Sequence, residues 1–152
     1  MIQDVIIKDL KRNFDQRGWL IETYREDEID SKYHPVMSYV SMTKPGVVRG
    51  PHEHQDQTDL FVFIGPGDFE LHLWDNRPDS STFKKYFHQV FGQNKPASVL
   101  VPPGVIHGYK NISKVDAVCI NYPNRLYAGK DKRRPVDEIR HENQKDSQFI
   151  IP

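Results

Sequence analysis

The chain has 152 residues, enough for one domain with a proper core and too few for two. Hydrophobic residues make up 37% and charged residues 28%, too apolar a mixture for a disordered chain. Its 21 basic and 21 acidic residues cancel, so the basic excess that nucleic acid or an anionic membrane selects is absent, and neither is an expected partner. A small anionic ligand stays compatible, because it needs only a few local cations.

At the N-terminus, MIQDVIIKDL lacks the basic stretch and long apolar run of a signal peptide. No window approaches the roughly 18 apolar residues of a membrane span, and a cytoplasmic location is expected. Glu26 to Lys32 is predicted as a short helix, and the rest reads as strands punctuated by turns. Leu60 to Ile64 is an apolar strand running into a hairpin turn at Gly65-Pro66-Gly67-Asp68. Phe69 to Trp74 alternates, with Phe69, Leu71 and Leu73 on one face. Asp75 to Asp79 is a turn, Val99 to Val101 a strand ending at Pro102-Pro103-Gly104, and Ala117 to Ile120 a later strand. Cys119, the single cysteine, lies in that run and is read as core packing. Many short strands at this spacing predict an all-β sandwich or barrel. The expected core covers about residues 10–123. Residues 124–152 read as a polar surface tail, and the cations Arg125, Lys130, Lys132, Arg133 and Arg134 as solvated, with a phosphate clamp as the alternative.

His52-Glu53-His54 is followed by Asp59, and His107 follows the turn at Pro102-Pro103-Gly104. On a strand, residues i and i+2 share a face, so His52 and His54 can enter one cavity while Glu53 points away. Three imidazoles and one carboxylate make a plausible shell for a divalent transition metal: Fe, Mn, Ni or Zn. A buried histidine in ordinary hydrogen bonds is the competing reading. His34, His72 and His88 lack such company and are read as surface or strand residues.

The two histidine segments resemble the paired motifs of the cupin superfamily, G-x5-H-x-H-x4-acid and P-x-G-x2-H-x3-N, with Asp59 in the place of the usual Glu. That resemblance implies a double-stranded β-helix, or jelly roll, whose ligands are His52, His54, Asp59 and His107. A narrower resemblance covers most of the chain. Phe14-Asp15-Gln16-Arg17-Gly18 to Glu22, Ser41 to His52, Asp75-Asn76-Arg77 to Phe83, and Pro102 to Tyr109 are similar in order and spacing to the dTDP-4-dehydrorhamnose 3,5-epimerases. This implies a homodimeric isomerase acting on a nucleotide-linked 4-keto-6-deoxyhexose in polysaccharide synthesis. It also implies His52 as base, Arg17, Glu22, Arg49 and His107 as substrate contacts, and Arg17 reaching the neighbouring subunit's pocket. No organic cofactor is expected.

Inverting a carbon beside a ketone needs a base, an electrophile for the enolate and an acid on the other face. The family's lysine electrophile has no counterpart, since no lysine lies between Lys44 and Lys84. The family tyrosine falls within Ala117 to Ile120, which holds no hydroxyl, so the nearby Tyr122 is the candidate. Asp137 is the candidate for the aspartate that orients the base. A metal on the histidine cluster would replace the lysine as electrophile. His52 is then either base or ligand, because one lone pair cannot serve both. Alternatives are a metal-dependent cupin enzyme of another class, an oxygenase or lyase, and an inactive sugar-nucleotide-binding protein.

Overall fold

The computed structural model describes residues 1–152 as two facing five-stranded sheets and a small hairpin. In chain order the strands are β1 (Ile6–Asp9), β2 (Asn13–Asp15), β3 (Gly18–Leu20), β4 (Tyr39–Thr43), β5 (Val48–Glu53) and β6 (Asp59–Phe63). They continue as β7 (Asp68–Asp75), β8 (Tyr86–Gly92), β9 (Ala97–Val101), β10 (Val105–Asn111), β11 (Ala117–Asn121) and β12 (Ile139–Arg140). The first sheet runs β1-β9-β6-β11-β4 and the second β12-β5-β10-β7-β8. Every paired strand is antiparallel. This is a sandwich, as the strand spacing predicts, and the jelly roll that the cupin resemblance implies.

Alternation builds the core. Phe69, Leu71 and Leu73 of β7 are wholly buried and meet Phe61 and Phe63 of β6, Phe91 of β8 and Tyr109 of β10 between the sheets. Cys119 is buried there too, and burial pushes its thiol well up. The core begins earlier than residue 10, because Ile2 and Val5 belong to it. Gly65 to Asp68 does not close a hairpin. It is a corner at which the chain leaves β6 in one sheet and enters β7 in the other. Glu26 to Lys32 forms two 3-10 turns, Glu26–Glu28 and Ser31–Tyr33, rather than one helix. Asp30 accepts from the Lys32 backbone and starts the second turn locally. Among the remaining histidines, His34 and His88 stay partly open, whereas His72 is buried on β7 with Nδ1 2.6 Å from the Tyr86 hydroxyl. No helix is long and apolar enough to cross a membrane.

Residues 124–152 do more than lie on the surface. β12 pairs with β5, extending the second sheet. His141 Nε2 reaches Glu53 Oε1 at 2.9 Å, and Phe149 packs on His141 and Trp74. Glu53 therefore faces away from its histidine neighbours, as strand alternation requires.

Candidate functional site

Five strands bring the site together. The first sheet contributes Asp59 from β6, Asn121 from β11 and Tyr39 from β4. The second contributes His52 from β5, His54 just past its end, and His107 from β10. His107 and His52 are cross-strand partners, and a register shift follows between His107 and Tyr109. Gly50 makes this approach possible: its φ is +81°, and a Cβ there would lie 2.7 Å from the His107 carbonyl oxygen. Glycine is thus dictated by both conformation and space.

The ligand atoms of His52, His54, Asp59 and His107 all lie within 4.8 Å of one another. His107 Nε2 is 3.1 Å from His52 Nε2, and Asp59 Oδ2 is 3.1 Å from His54 Nε2 and 3.3 Å from His107 Nε2. Ligands about 2.1 Å from a metal stand about 3.4 Å apart in a tetrahedron and about 3.0 Å apart in an octahedron. The second layer orients the rings. His54 Nδ1 donates to the Asp137 carbonyl, and His107 Nδ1 donates to the Val105 carbonyl at 3.0 Å. A carbonyl can only accept, so each ring carries a proton on Nδ1 and turns its Nε2 inward. Asp59 Oδ2 is buried and makes no hydrogen bond of acceptable alignment. Lone pairs converging on one point call for a proton or a cation, and the donor set fits a divalent transition metal.

Charge follows the same geometry. Burial, together with neighbouring His107 and His54, pushes the His52 pKa down to about 2, so its imidazole is neutral. Burial opposes charge on His54 as well, but Asp59 and the Asp137 carbonyl outweigh it and raise its pKa. Burial would raise the Asp59 pKa, yet His107 and His54 hold it well below the usual carboxylate range. Asp59 Oδ1 accepts from Gln57 Nε2 and from Asn121 Nδ2, each at 2.9 Å. Burial and the Asp59 charge push the Tyr39 phenol up to about 12.

The cluster opens into a cavity of about 960 Å³, at the upper end of the range typical of ligand sites. Its lining includes Tyr39, His52 and His54 on the inner side, with exposed Arg125, Lys132 and Arg134 from the C-terminal segment. Those three cations face the cavity rather than bulk water alone, unlike the solvated tail expected from composition. Arg49 also lines it, held by Thr43 Oγ1 at 2.8 Å and the Met42 carbonyl at 2.7 Å.

Other expected residues lie elsewhere. Tyr122 follows inward-facing Asn121 and so turns to the opposite face, where its hydroxyl meets Thr23 Oγ1 at 2.9 Å and its ring stacks on Tyr24. Asp137 does not orient His52. Its carboxylate accepts from the backbone N–H groups of Gln55, Asp56 and Gln57 at 2.9, 2.8 and 2.9 Å, fixing the loop that carries His54. Beside His52 stands Glu138 instead, with Oε1 3.7 Å from His52 Nε2 and Oε2 taken by Arg140. Arg17 is paired with Asp15, its side chain 90% exposed, and Glu22 is paired with Arg25; neither lines the cavity of its own chain. Tyr39 and Glu138 also line the cavity and were not among the expected site residues. Tyr39 was legible as an inward position of an alternating strand, whereas Glu138 is placed only by the pairing of β12 with β5.

The family model for dTDP-4-dehydrorhamnose 3,5-epimerase matches residues 1–138. A probable low-salt glycan biosynthesis epimerase, Agl13, of Haloferax volcanii is 39% identical over 140 residues, 90% of this chain and 89% of that protein. The spore coat polysaccharide biosynthesis protein SpsL of Bacillus subtilis is 32% identical over 141 residues, 91% of this chain and 92% of that one. Among solved structures, a dTDP sugar isomerase from Desulfovibrio desulfuricans G20 superposes with a TM-score of 0.84 at 19% identity, covering 98% of this chain and 91% of that one. The likeness in structure extends to the whole jelly roll.

Proposed function

The chain belongs to the dTDP-4-dehydrorhamnose 3,5-epimerase family, and from that premise we propose that it epimerises a nucleotide-linked 4-keto-6-deoxyhexose. The observation that carries this reading is neutral His52 facing a cavity of about 960 Å³ that also exposes Arg125, Lys132 and Arg134. A nucleotide sugar presents an acidic C–H beside a ketone at one end and a diphosphate at the other. The exposed cations suit the diphosphate, and a base at the inner end suits the carbon acid.

His52 Nε2 takes the proton from the carbon next to the ketone, and the electron pair moves toward the carbonyl oxygen. His54, Asp59, His107 and His52 would hold a divalent transition metal, Fe, Mn, Ni or Zn, whose chemistry when bound is Lewis-acid stabilisation of an enolate oxygen, the task of the missing lysine. With the His52 lone pair engaged in that way, Glu138 Oε1 is the free carboxylate oxygen on the same wall and becomes the base. Asp137 holds the loop beneath His54 in either state, acting on position rather than on substrate.

A second copy of the chain completes the assembly in this reading. The β2–β3 hairpin is exposed throughout and carries Phe14, 75% exposed, with Trp19 and Leu20; the outer face of β4 carries exposed Val40 and Met42. Apolar surface of this kind favours burial in an interface, and Arg17 at the hairpin turn would then reach the neighbour's cavity.

The test is solvent exchange. In D2O, with Mn, Fe, Ni or Zn supplied, dTDP-4-keto-6-deoxyglucose should gain deuterium at C3 or C5, read by NMR. Complete retention of protium under all four metals overturns the reading in favour of an inactive binding protein or another reaction class.

A further inference from the structure

The hydroxyl that the family resemblance expects on β11 is absent, for the inward residues of that strand are Ala117, Cys119 and Asn121. The neighbouring strand carries one at the matching place. Tyr39 of β4 is the cross-strand partner of Asn121, so the two side chains stand on the same face of the sheet. Asn121 Nδ2 donates to the Tyr39 hydroxyl at 2.8 Å and to Asp59 Oδ1 at 2.9 Å. An ionised carboxylate only accepts, so Asp59 fixes which way the Asn121 amide faces. The Tyr39 oxygen is therefore an acceptor toward Asn121, and its own proton has no protein partner. Tyr39 is 45% exposed and lines the cavity, which puts that proton where a ligand would sit.

Other phenols nearby do not meet these conditions. The Tyr109 hydroxyl is shared with Ser41 at 3.2 Å and the residue is buried. Tyr122 faces out of the cavity onto Thr23. His52 and Glu138 belong to the second sheet and its β12 extension, whereas Tyr39 stands on the first. Base and phenol thus approach a substrate from opposing walls, the arrangement that inversion requires.

We propose that Tyr39 is the catalytic acid of this enzyme, protonating the substrate carbon on the face opposite the base. This rests on the epimerase reading. The base takes the C–H proton and the bonding pair enters the enolate. The enolate carbon then takes the Tyr39 proton, the pair forms the new C–H bond, and the carbonyl reforms. Solvent returns a proton to the phenolate and removes one from the base, so the net change is isomerisation.

The experiment compares wild type, Tyr39→Phe and Tyr122→Phe on dTDP-4-keto-6-deoxyglucose in D2O, reading deuterium and configuration by NMR. Phenylalanine keeps the ring and removes only the hydroxyl, and circular dichroism checks that the fold is retained. Tyr39→Phe is expected to slow inversion at least about 100-fold, the scale of one lost acid catalyst, with KM changed less than about threefold. Recovered substrate should still gain deuterium in its original configuration, because the base remains. Tyr122→Phe is expected to stay within about twofold of wild type. Inversion by Tyr39→Phe within about threefold of wild type, loss of exchange along with inversion, or the loss appearing in Tyr122→Phe instead would each overturn the assignment while leaving the epimerase reading standing. A wild-type protein that exchanges nothing overturns both.

Discussion

Asp59→Asn is the substitution that best separates a metal centre from a hydrogen-bonded histidine cluster. Asparagine matches the shape of Asp59, and its carbonyl oxygen can keep the hydrogen bonds from Gln57 and Asn121. What disappears is the anionic Oδ2, the oxygen facing His54 and His107 at 3.1 and 3.3 Å. Its replacement, an amide nitrogen, has no lone pair for a metal and can instead donate to the histidine nitrogens. A metal at about 100 times its Kd stabilises the fold by about 2.7 kcal/mol. At about 2–4 °C per kcal/mol for a chain of this size, the wild-type midpoint should rise by about 5–10 °C. Losing the anionic ligand should weaken binding on the order of 50-fold. At the same concentration that leaves RT ln 3, about 0.65 kcal/mol, or a rise of about 2 °C. The assay is thermal unfolding of protein purified without a nickel resin, stripped with chelator, and titrated separately with Zn, Ni, Mn and, without oxygen, Fe(II). If none of the four lifts the wild-type midpoint, or if Asp59→Asn rises as much as wild type, the metal argument is refuted and the lone pairs are satisfied by protons.

Asp75 should be the main pH-sensitive staple outside the site. It is buried and accepts from Arg77 Nε at 2.8 Å, Ser80 Oγ at 2.6 Å and Thr82 Oγ1 at 2.5 Å. Burial would raise its pKa, but these donors hold it well below the usual carboxylate range. Stability from a depressed carboxylate is fully present above the unfolded value near pH 4 and is lost as pH falls through the folded value. Asp75→Asn should therefore cost about 3 kcal/mol in urea unfolding at pH 7, with the gap to wild type narrowing at pH 3; an equal gap at both pH values would refute the charge argument. At the cavity edge, Lys132→Ala and Arg134→Ala should each raise KM for the nucleotide sugar about fivefold, for a loss of about 1 kcal/mol in an exposed charge contact. kcat should stay within about twofold and the salt dependence should flatten, while an unchanged KM in both would return these cations to bulk solvent.

Much of the frame was legible because period-2 patterning reports directly on burial. Phe69, Leu71 and Leu73 alternate in sequence and lie together in the core, and His52, His54 and His107 sit where strand geometry and a Pro-Gly turn put them. The same rule placed Glu53 on the other face. Failures came where the outcome depends on which strands become neighbours. The Gly65 to Asp68 turn is locally the same whether its strands share a sheet or cross between two. Tyr122 is one residue past Asn121 and so falls on the wrong face, a parity that matters more than nearness in sequence.

The C-terminal segment was misread for a different reason, and it bears on how the site works. Charge and polarity describe residues 125–142 correctly, since most of them are exposed, but exposure does not say what a side chain faces. Pairing of β12 with β5 and the buried His141–Glu53 contact bring this segment over one side of the cavity. The Asp137 carboxylate then fixes the loop at Gln55 to Gln57, while the Asp137 carbonyl orients His54. One short polar stretch thus supplies a ring orientation through Asp137, a carboxylate beside His52 through Glu138, and cations through Lys132 and Arg134. In this chain the family's lysine is absent and its tyrosine position carries no hydroxyl, and the groups proposed to take over their chemistry stand on β4, on β6 and in this segment. The jelly roll gathers those positions around one cavity, so under the proposed mechanism the reaction is kept while the residues that perform it change strands.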